Sequence, residues 1–409
     1  MTSPPPLQGL TMTRDWDYAL LMLWLVAVTL GLVMVASASF PVSAVGGEPG
    51  RFVVRHVAYL TAGAIALIAC ASVPLRIWLA LHRPMLIGAL VLGLLVLIPG
   101  IGHAANGARR WIGFGPLSLQ AAEFAKFAVV IYLAGYLERY QTTLKQDPLV
   151  LLRPLALIGG LCLLLLLEPD FGSMVVLVTL TAGVLFLAGA RLKHFALIVV
   201  VAVSLLAAIS VLQPYRMQRM VTFLDPWSAA YGSGYQLTQA LIAFGRGNWF
   251  GLGLGEGIQK LQYLPEAHND FIFAVIAEEL GLVGALAVLA LLMVLVLRIL
   301  RIAARALDEE RPFAGYVAYG VALLLGLQSV INVGVNTGTL PTKGLTLPFI
   351  SYGGNSLLVC CALIGLVMRV QIEHTRSVRN PRTPSVRSLR TRNLPSPRTL
   401  RIPTGARRR

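Results

Sequence analysis

The sequence predicts an all-α membrane protein with about ten transmembrane helices and one large extracytoplasmic loop. Three observations predict it. The chain is a succession of apolar runs of about 20 residues, the length needed to span a bilayer as helix. Only 13% of its 409 residues are charged, against about 25% in soluble domains, so most of its surface meets lipid. Its basic residues also alternate between successive loops, as the cytoplasmic bias of lysine and arginine requires.

The apolar runs place spans at 17–38, 54–73, 84–101, 119–138, 151–168, 171–189, 195–212, 271–298, 313–335 and 348–370. With the N-terminus inside, 24 lysines and arginines fall on the cytoplasmic side and nine on the other. An even number of spans returns the C-terminus to the cytoplasm. The first run ends in Ala36-Ser37-Ala38, which mimics a signal cleavage site, but it is too long for the apolar core of a signal peptide. It is read as an uncleaved first span. Cys70, Cys162, Cys360 and Cys361 all lie in apolar runs without metal-ligand or disulfide-framework spacing, and are read as small packing residues.

Three regions follow: a cytoplasmic N-terminal segment 1–16, a polytopic membrane domain 17–370 with its large periplasmic loop at 213–270, and a basic cytoplasmic tail 371–409. The tail holds 11 arginines and one glutamate, so it carries +10 of the net +16. Proline and serine interrupt its arginines without apolar periodicity, which predicts disorder. Such a tail suits anionic lipid heads better than nucleic acid. In the large loop, Leu237, Leu241 and Phe244 share a helical face, with Gln236 and Gln239 off it. This is an amphipathic element, lying on the outer leaflet or packed over the bundle.

Ionisable residues inside spans are functional candidates, because inserting each costs about 2.5–3.5 kcal/mol. Glu123 and Lys126 in the fourth span have the i, i+3 spacing of a pair. The pair either serves chemistry or fixes helix packing. Glu168 and Asp170 flank the helix breaker Pro169; they form a solvated turn or hold a divalent cation. Arg109 and Arg110 lie beside Trp111 on the outer side, against the charge bias. Their planar guanidinium groups match phosphate oxygens, and an interfacial anchor is the simpler alternative. Asp270 opens the apolar run of the eighth span, where a carboxylate caps backbone N–H groups and gains from the helix dipole. The dipole keeps it ionised, as a general base requires. Glu278 and Glu279 lie deeper in that run. The glycine-rich stretch 251–257 lacks phosphate-loop spacing and a strand–helix setting, so no nucleotide is implied.

Several of these segments resemble one family. They are 106–112 (NGARRWI), 168–172 (EPDFG), 225–227 (DPW), 234–239 (GYQLTQ), 261–281 (LQYLPEAHNDFIFAVIAEELG) and 340–354 (LPTKGLTLPFISYGG). They resemble the shape, elongation, division and sporulation (SEDS) family of peptidoglycan glycosyltransferases over nearly the whole membrane region. The PEAH and PTKG spellings are closer to its cell-division branch than to its elongation branch. Ala121-Ala122, Asn269 and Asn355 replace the family's usual Pro-Ser, Thr and Ser, and each replacement is small or polar.

The resemblance implies the ten-helix SEDS fold with both termini cytoplasmic, in the bacterial inner membrane at the septum. It implies polymerisation of lipid II on the outer face, with undecaprenyl pyrophosphate leaving. It implies an FtsI-type class B penicillin-binding protein as transpeptidase partner, together with the division regulators FtsQ, FtsL, FtsB and FtsN. It implies no organic cofactor and leaves room for Mg or Mn, with Asp270, Glu168 and Asp170 as potential ligands. The family's outer-loop aspartate falls on Asp270, read as general base, and its fourth-span acid and lysine on Glu123 and Lys126. Arg109, Arg110 and Lys343 are candidates for the pyrophosphate, and His268, Gln236, Gln239 and Ser351 for other substrate contacts. A lipid II flippase is the alternative, since intramembrane charges and broken helices also suit transporters. A division scaffold would explain the arginine tail but not Asp270.

Overall fold

The computed structural model describes residues 15–379, apart from 46, 106–107, 115–116, 145–146, 148, 212–221 and 343. Among the described residues the chain forms α1 (Tyr18–Val45), α2 (Arg51–Ser72), α3 (Leu75–Leu97), β1 (Gly102–Ala105), β2 (Ala108–Phe114) and β3 (Leu117–Gln120). It continues with α4 (Ala121–Leu144), α5 (Leu149–Leu167), α6 (Phe171–Leu187), α7 (Leu192–Val211), α8 (Tyr235–Gly247), α9 (Ile272–Asp308), α10 (Pro312–Asn336) and α11 (Gly354–Arg379).

Seven of these helices, α1, α2, α3, α5, α9, α10 and α11, are long and apolar enough to cross a membrane. The shorter apolar helices α6 and α7 join them. The tenth, α4, is of a different kind. Every residue from Ala125 to Leu137 is buried, as befits a helix enclosed on all sides by other helices. The peripheral helices instead turn Ile65, Ile87 and Leu163 outward, the surface that lipid covers. The protein is a multi-pass membrane protein.

Close helix approach rests on small residues, which let backbones meet where lipid supplies no hydrophobic drive. A Cβ on Gly63 of α2 would stand 2.9 Å from the Cys361 sulfur of α11, and one on Gly365 of α11 2.3 Å from the Leu67 carbonyl. The four cysteines are free and buried.

Three expectations need correction, and two are refined. The third span starts at Leu75, not at 84; the break is Val73-Pro74, and Pro84 lies inside the helix. The all-α class holds with one small addition. Residues 102–120 form a three-stranded antiparallel sheet in the order β1-β2-β3, with Trp111 paired to His103 on one side and Gln120 on the other. Its strands are short and rich in glycine and alanine, which hides their alternation. The eighth span is not one helix. Gly281 takes φ 70° and ψ −171°, dividing α9 into halves.

The last span runs from Gly354 to Arg379 rather than from 348 to 370. The predicted disordered tail therefore begins with ordered helix. Arg376 and Arg379 pair with the buried Asp15 at 3.1 and 3.2 Å, and Glu373 takes Arg369 at 2.8 Å and Arg311 at 3.5 Å. Residues 380–409 lie outside the described residues. Lastly, of the two placements open to the amphipathic element, the structure has α8 packed on the bundle. Leu237, Ala240 and Ala243 are buried, and Phe244 meets Phe273 of α9 with ring centroids 5.8 Å apart.

Candidate functional site

Because consecutive helices run antiparallel, one end of the bundle gathers the sheet, the 168–170 turn, the loop before α9 and the strap 337–353 between α10 and α11. Asp270 sits there, immediately before the first half of α9.

Asp270 stands one residue before the N-cap of its helix. The N-cap position is Phe271, which makes no side-chain cap bond. The capping is done from α10: Asn336 Oδ1 accepts from the Ala274 N–H at 3.1 Å. Asn332 and Asn336 each donate to the Asp270 carbonyl at 2.9 Å, and Asn332 also donates to the Leu345 carbonyl in the strap at 2.6 Å. The orphan groups of the helix end are thus satisfied by a neighbouring helix. The Asp270 carboxylate is turned instead toward the strap, where a Cβ on Gly344 would lie 3.1 Å from its Oδ2.

The strap also touches the 168–170 turn, since a Cβ on Gly172 would lie 3.3 Å from Leu345 Cγ. In that turn Asp170 caps α6, its two carboxylate oxygens accepting from the Ser173 N–H at 3.1 Å and the Ser173 hydroxyl at 2.8 Å. Glu168 is fully buried, with neither carboxylate oxygen hydrogen-bonded. Burial, helped by Asp170 and opposed by Arg110, pushes its pKa up to about 8, so it stays protonated at neutral pH. Among the described residues no three His, Cys, Asp or Glu side chains cluster as metal ligands. Asp170 is spent on the cap of α6, and the three expected ligands, Asp270, Glu168 and Asp170, form no such cluster.

Arg110 reaches from β2 to the backbone carbonyls of Glu168 at 3.2 Å and Pro169 at 2.5 Å. It fastens the sheet to the turn and is not the open phosphate fork expected. Arg109 is exposed. Lys343 lies outside the described residues. Ser351 is buried, and its hydroxyl accepts from the Leu347 N–H at 2.8 Å, which closes a turn of the strap. Gln236 and Gln239 are half-buried on α8.

His268 belongs to an aromatic wall. Its ring lies 4.7 Å from Phe52 and 5.5 Å from Tyr352, and Phe52 and Tyr352 meet at 5.3 Å. The Tyr352 N–H donates to the His268 carbonyl at 2.9 Å. Burial lowers the His268 pKa, against a smaller opposite pull from Glu266, so the imidazole is neutral at pH 7. Inside the bundle, Glu123 and Lys126 form the expected pair, Nζ to Oε1 2.6 Å, both buried, with Cys360 of α11 beside them.

Several residues escaped sequence reasoning. Asn332 and Asn336, four apart in an apolar helix, carried a usable signal, since amides there need partners across helices. Phe52, Tyr352, Ser37 and Lys260 carried none, because their partners are distant in sequence.

Fold and site together define a multi-pass membrane protein with a carboxylate presented at the loop-bearing end of its bundle. The chain belongs to the FtsW/RodA/SpoVE family, described as cell cycle protein, whose model matches residues 17–376. It is 50% identical over 360 residues to a probable peptidoglycan glycosyltransferase FtsW of Pseudomonas fluorescens (strain SBW25), covering 88% of each chain. It is 47% identical over 367 residues to the protein of that name in Coxiella burnetii, covering 88% of this chain and 98% of the other. Among solved structures, it matches a chain from work on a peptidoglycan synthase complex coordinating polymerization and crosslinking. That match has TM-score 0.71 and 30% identity, over 90% of this chain and 99% of the other. The rod shape determining protein RodA of Thermus thermophilus matches with TM-score 0.64 and 28% identity, over 88% and 97%.

Proposed function

We propose that this protein is a peptidoglycan glycosyltransferase that polymerises lipid II into glycan strands and releases undecaprenyl pyrophosphate. The observation that carries this reading is the setting of Asp270. Two asparagines of α10 hold the backbone of this helix end, the Asp270 carbonyl and the Ala274 N–H, and the carboxylate is turned toward the strap at Gly344. The relatives' names supply the reaction class.

The acceptor is a sugar hydroxyl, a poor nucleophile until a base takes its proton. Asp270 takes the proton of the acceptor 4-hydroxyl as that oxygen bonds to the donor's anomeric carbon. The bond from that carbon to the pyrophosphate oxygen breaks, and the pyrophosphate leaves with the electron pair. One displacement inverts the α-linked donor to a β-linkage. The leaving group's charge needs cations, not an acid; Arg109 and Lys343 are the candidates, with Arg110 holding the turn beneath. Neutral His268 and the half-buried Gln236 and Gln239 offer hydrogen bonds to substrate. The Glu123–Lys126 pair orients the helices below the site.

The protein works at the septum of the inner membrane with both termini cytoplasmic, beside an FtsI-type class B transpeptidase and the regulators FtsQ, FtsL, FtsB and FtsN. The broken helix at Gly281 would also suit a lipid II flippase. Its freed backbone groups, however, are paired with a loop of the same chain. The test is polymerisation of purified lipid II by the protein co-purified with its transpeptidase. Wild type forms strands, and Asp270→Ala loses at least about 100-fold, the lower range for a general base. Strands from Asp270→Ala at the wild-type rate refute the base. No strands from either, with labelled lipid II crossing liposome bilayers, establishes the flippase.

A further inference from the structure

The break at Gly281 is braced from outside the helix. The Leu252 and Gly253 N–H groups donate to the Glu278 and Glu279 carbonyls at 3.0 and 3.1 Å, and the Leu282 and Val283 N–H groups donate to the Asn248 and Trp249 carbonyls at 2.9 and 3.1 Å. The glycine-rich stretch supplies the backbone that comes this close: Gly251 has φ 82°, and a Cβ there would stand 2.1 Å from the Glu279 carbonyl.

A buried charge network locks the same joint. Lys260 Nζ donates to Glu279 Oε1 at 2.6 Å, to the Gly255 carbonyl at 2.7 Å and to Ser37 Oγ at 2.8 Å. That uses all three ammonium donors. The Ser37 hydroxyl of α1 in turn donates to Glu279 at 2.7 Å. Glu278 accepts from Arg246 Nε at 3.1 Å and from the Ile258 and Gln259 N–H groups at 3.1 Å. Lys260 is 4% exposed and the two glutamates 0%.

The half-helix 272–280 is therefore a separate strut about 14 Å long at 1.5 Å per residue. Asn332 and Asn336 hold its front at Asp270. The Lys260–Glu279–Ser37 network and the loop hold its rear, because the helix itself is discontinuous there. We propose that Lys260, Glu279 and Ser37 are positioning residues that set the height of Asp270 against the strap, a role that rests on the polymerase reading of Asp270. It follows that whatever moves the loop 248–260 moves the base.

The experiment compares full-length wild type with Lys260→Met, Glu279→Gln, Lys260→Arg and the apolar pair Lys260→Met/Glu279→Leu, each with its transpeptidase. It reads kcat and KM for lipid II, and hydrogen exchange at Leu252, Gly253, Leu282 and Val283. Misplacing a reacting group by about 1 Å costs on the order of 100-fold. The two single variants that break the pair are expected to lose about ten-fold or more in kcat with KM within about two-fold, and to exchange faster at the four amides. Lys260→Arg keeps most of kcat. The apolar pair restores a folded protein, since such replacements are often neutral or stabilising, but not kcat.

Wild-type kcat in a folded Lys260→Met protein overturns the positioning role. So does failure of all the pair-breaking variants, the apolar pair included, to accumulate folded, because the network then serves folding alone. Absence of strands from wild type overturns the polymerase reading itself, with the positioning role that rests on it; wild-type strands with unaltered variant kcat overturn only the positioning role.

Discussion

At the scale of single residues, the site depends on which polar groups are satisfied and by whom. Asn336 bridges the Ala274 N–H and the Asp270 carbonyl. Asn336→Ala takes the side-chain acceptor from the Ala274 N–H in a buried setting and leaves the Asp270 carbonyl to Asn332 alone, at a cost of about 1–3 kcal/mol. The expected outcome is a lower melting temperature in detergent together with a lower kcat; an unchanged rate would show that the front clamp does not orient the base. Glu168 gives a prediction in pH. Its folded pKa, about 8, lies above the ordinary 4.5. The folded state thus holds the proton that the unfolded chain gives up above about pH 4.5. Glu168 contributes most stability below that pH and loses it progressively as pH rises to about 8. Glu168→Gln has no such loss. Its melting temperature relative to wild type should rise between pH 5 and pH 8 and level off above, as thermal melts across that range will show.

At the scale of elements, apolar runs identify the helices that face lipid, and the Glu123–Lys126 spacing correctly places a pair on one face of α4. Apolarity says little about where a helix breaks. The run after Asp270 is apolar on both sides of Gly281, and only the loop that fills the break makes φ 70° tenable. This conformation is nearly exclusive to glycine and costs other residues about 1–3 kcal/mol. A Cβ at Gly281 would in addition stand 2.3 Å from the Gly251 nitrogen. Gly281→Ala should therefore melt earlier than wild type or fail to accumulate in membranes, measured by detergent melting and by membrane yield. Equal melting would mean that the helix straightens at little cost.

At the scale of the whole molecule, opposite ends of the bundle are held differently. The end away from Asp270 is tied by ion pairs between distant segments: Arg298 to Asp17 at 2.7 Å, and Arg376 and Arg379 to Asp15. The arginine-rich C-terminal region is thus two things, an ordered helix end that clamps α1 and a stretch beyond it. Ending the chain after Val370 removes Glu373, Arg376 and Arg379 and should lower the melting temperature below that of a chain ended after Arg379. A pair at a partly exposed site is worth less than about 1 kcal/mol, so the expected loss comes from the set together. Equal melting of the two truncations would assign the clamp no role.

The sequence by itself determined the membrane class, the approximate number of spans and the Glu123–Lys126 pair inside the bundle. Lipid demands long apolar helices, and a charge left within them stands out by its cost. What only the tertiary structure decided were the sheet, the break at Gly281, and the partners of each charge. Arg110, expected on phosphate, instead holds two carbonyls of a turn 58 residues away. The Asp270 carbonyl is held by asparagines more than 60 residues on. Lys260 meets Ser37 across 223 residues. Local patterns record which groups must be satisfied; only folding selects, among many distant groups of suitable chemistry, the ones that satisfy them.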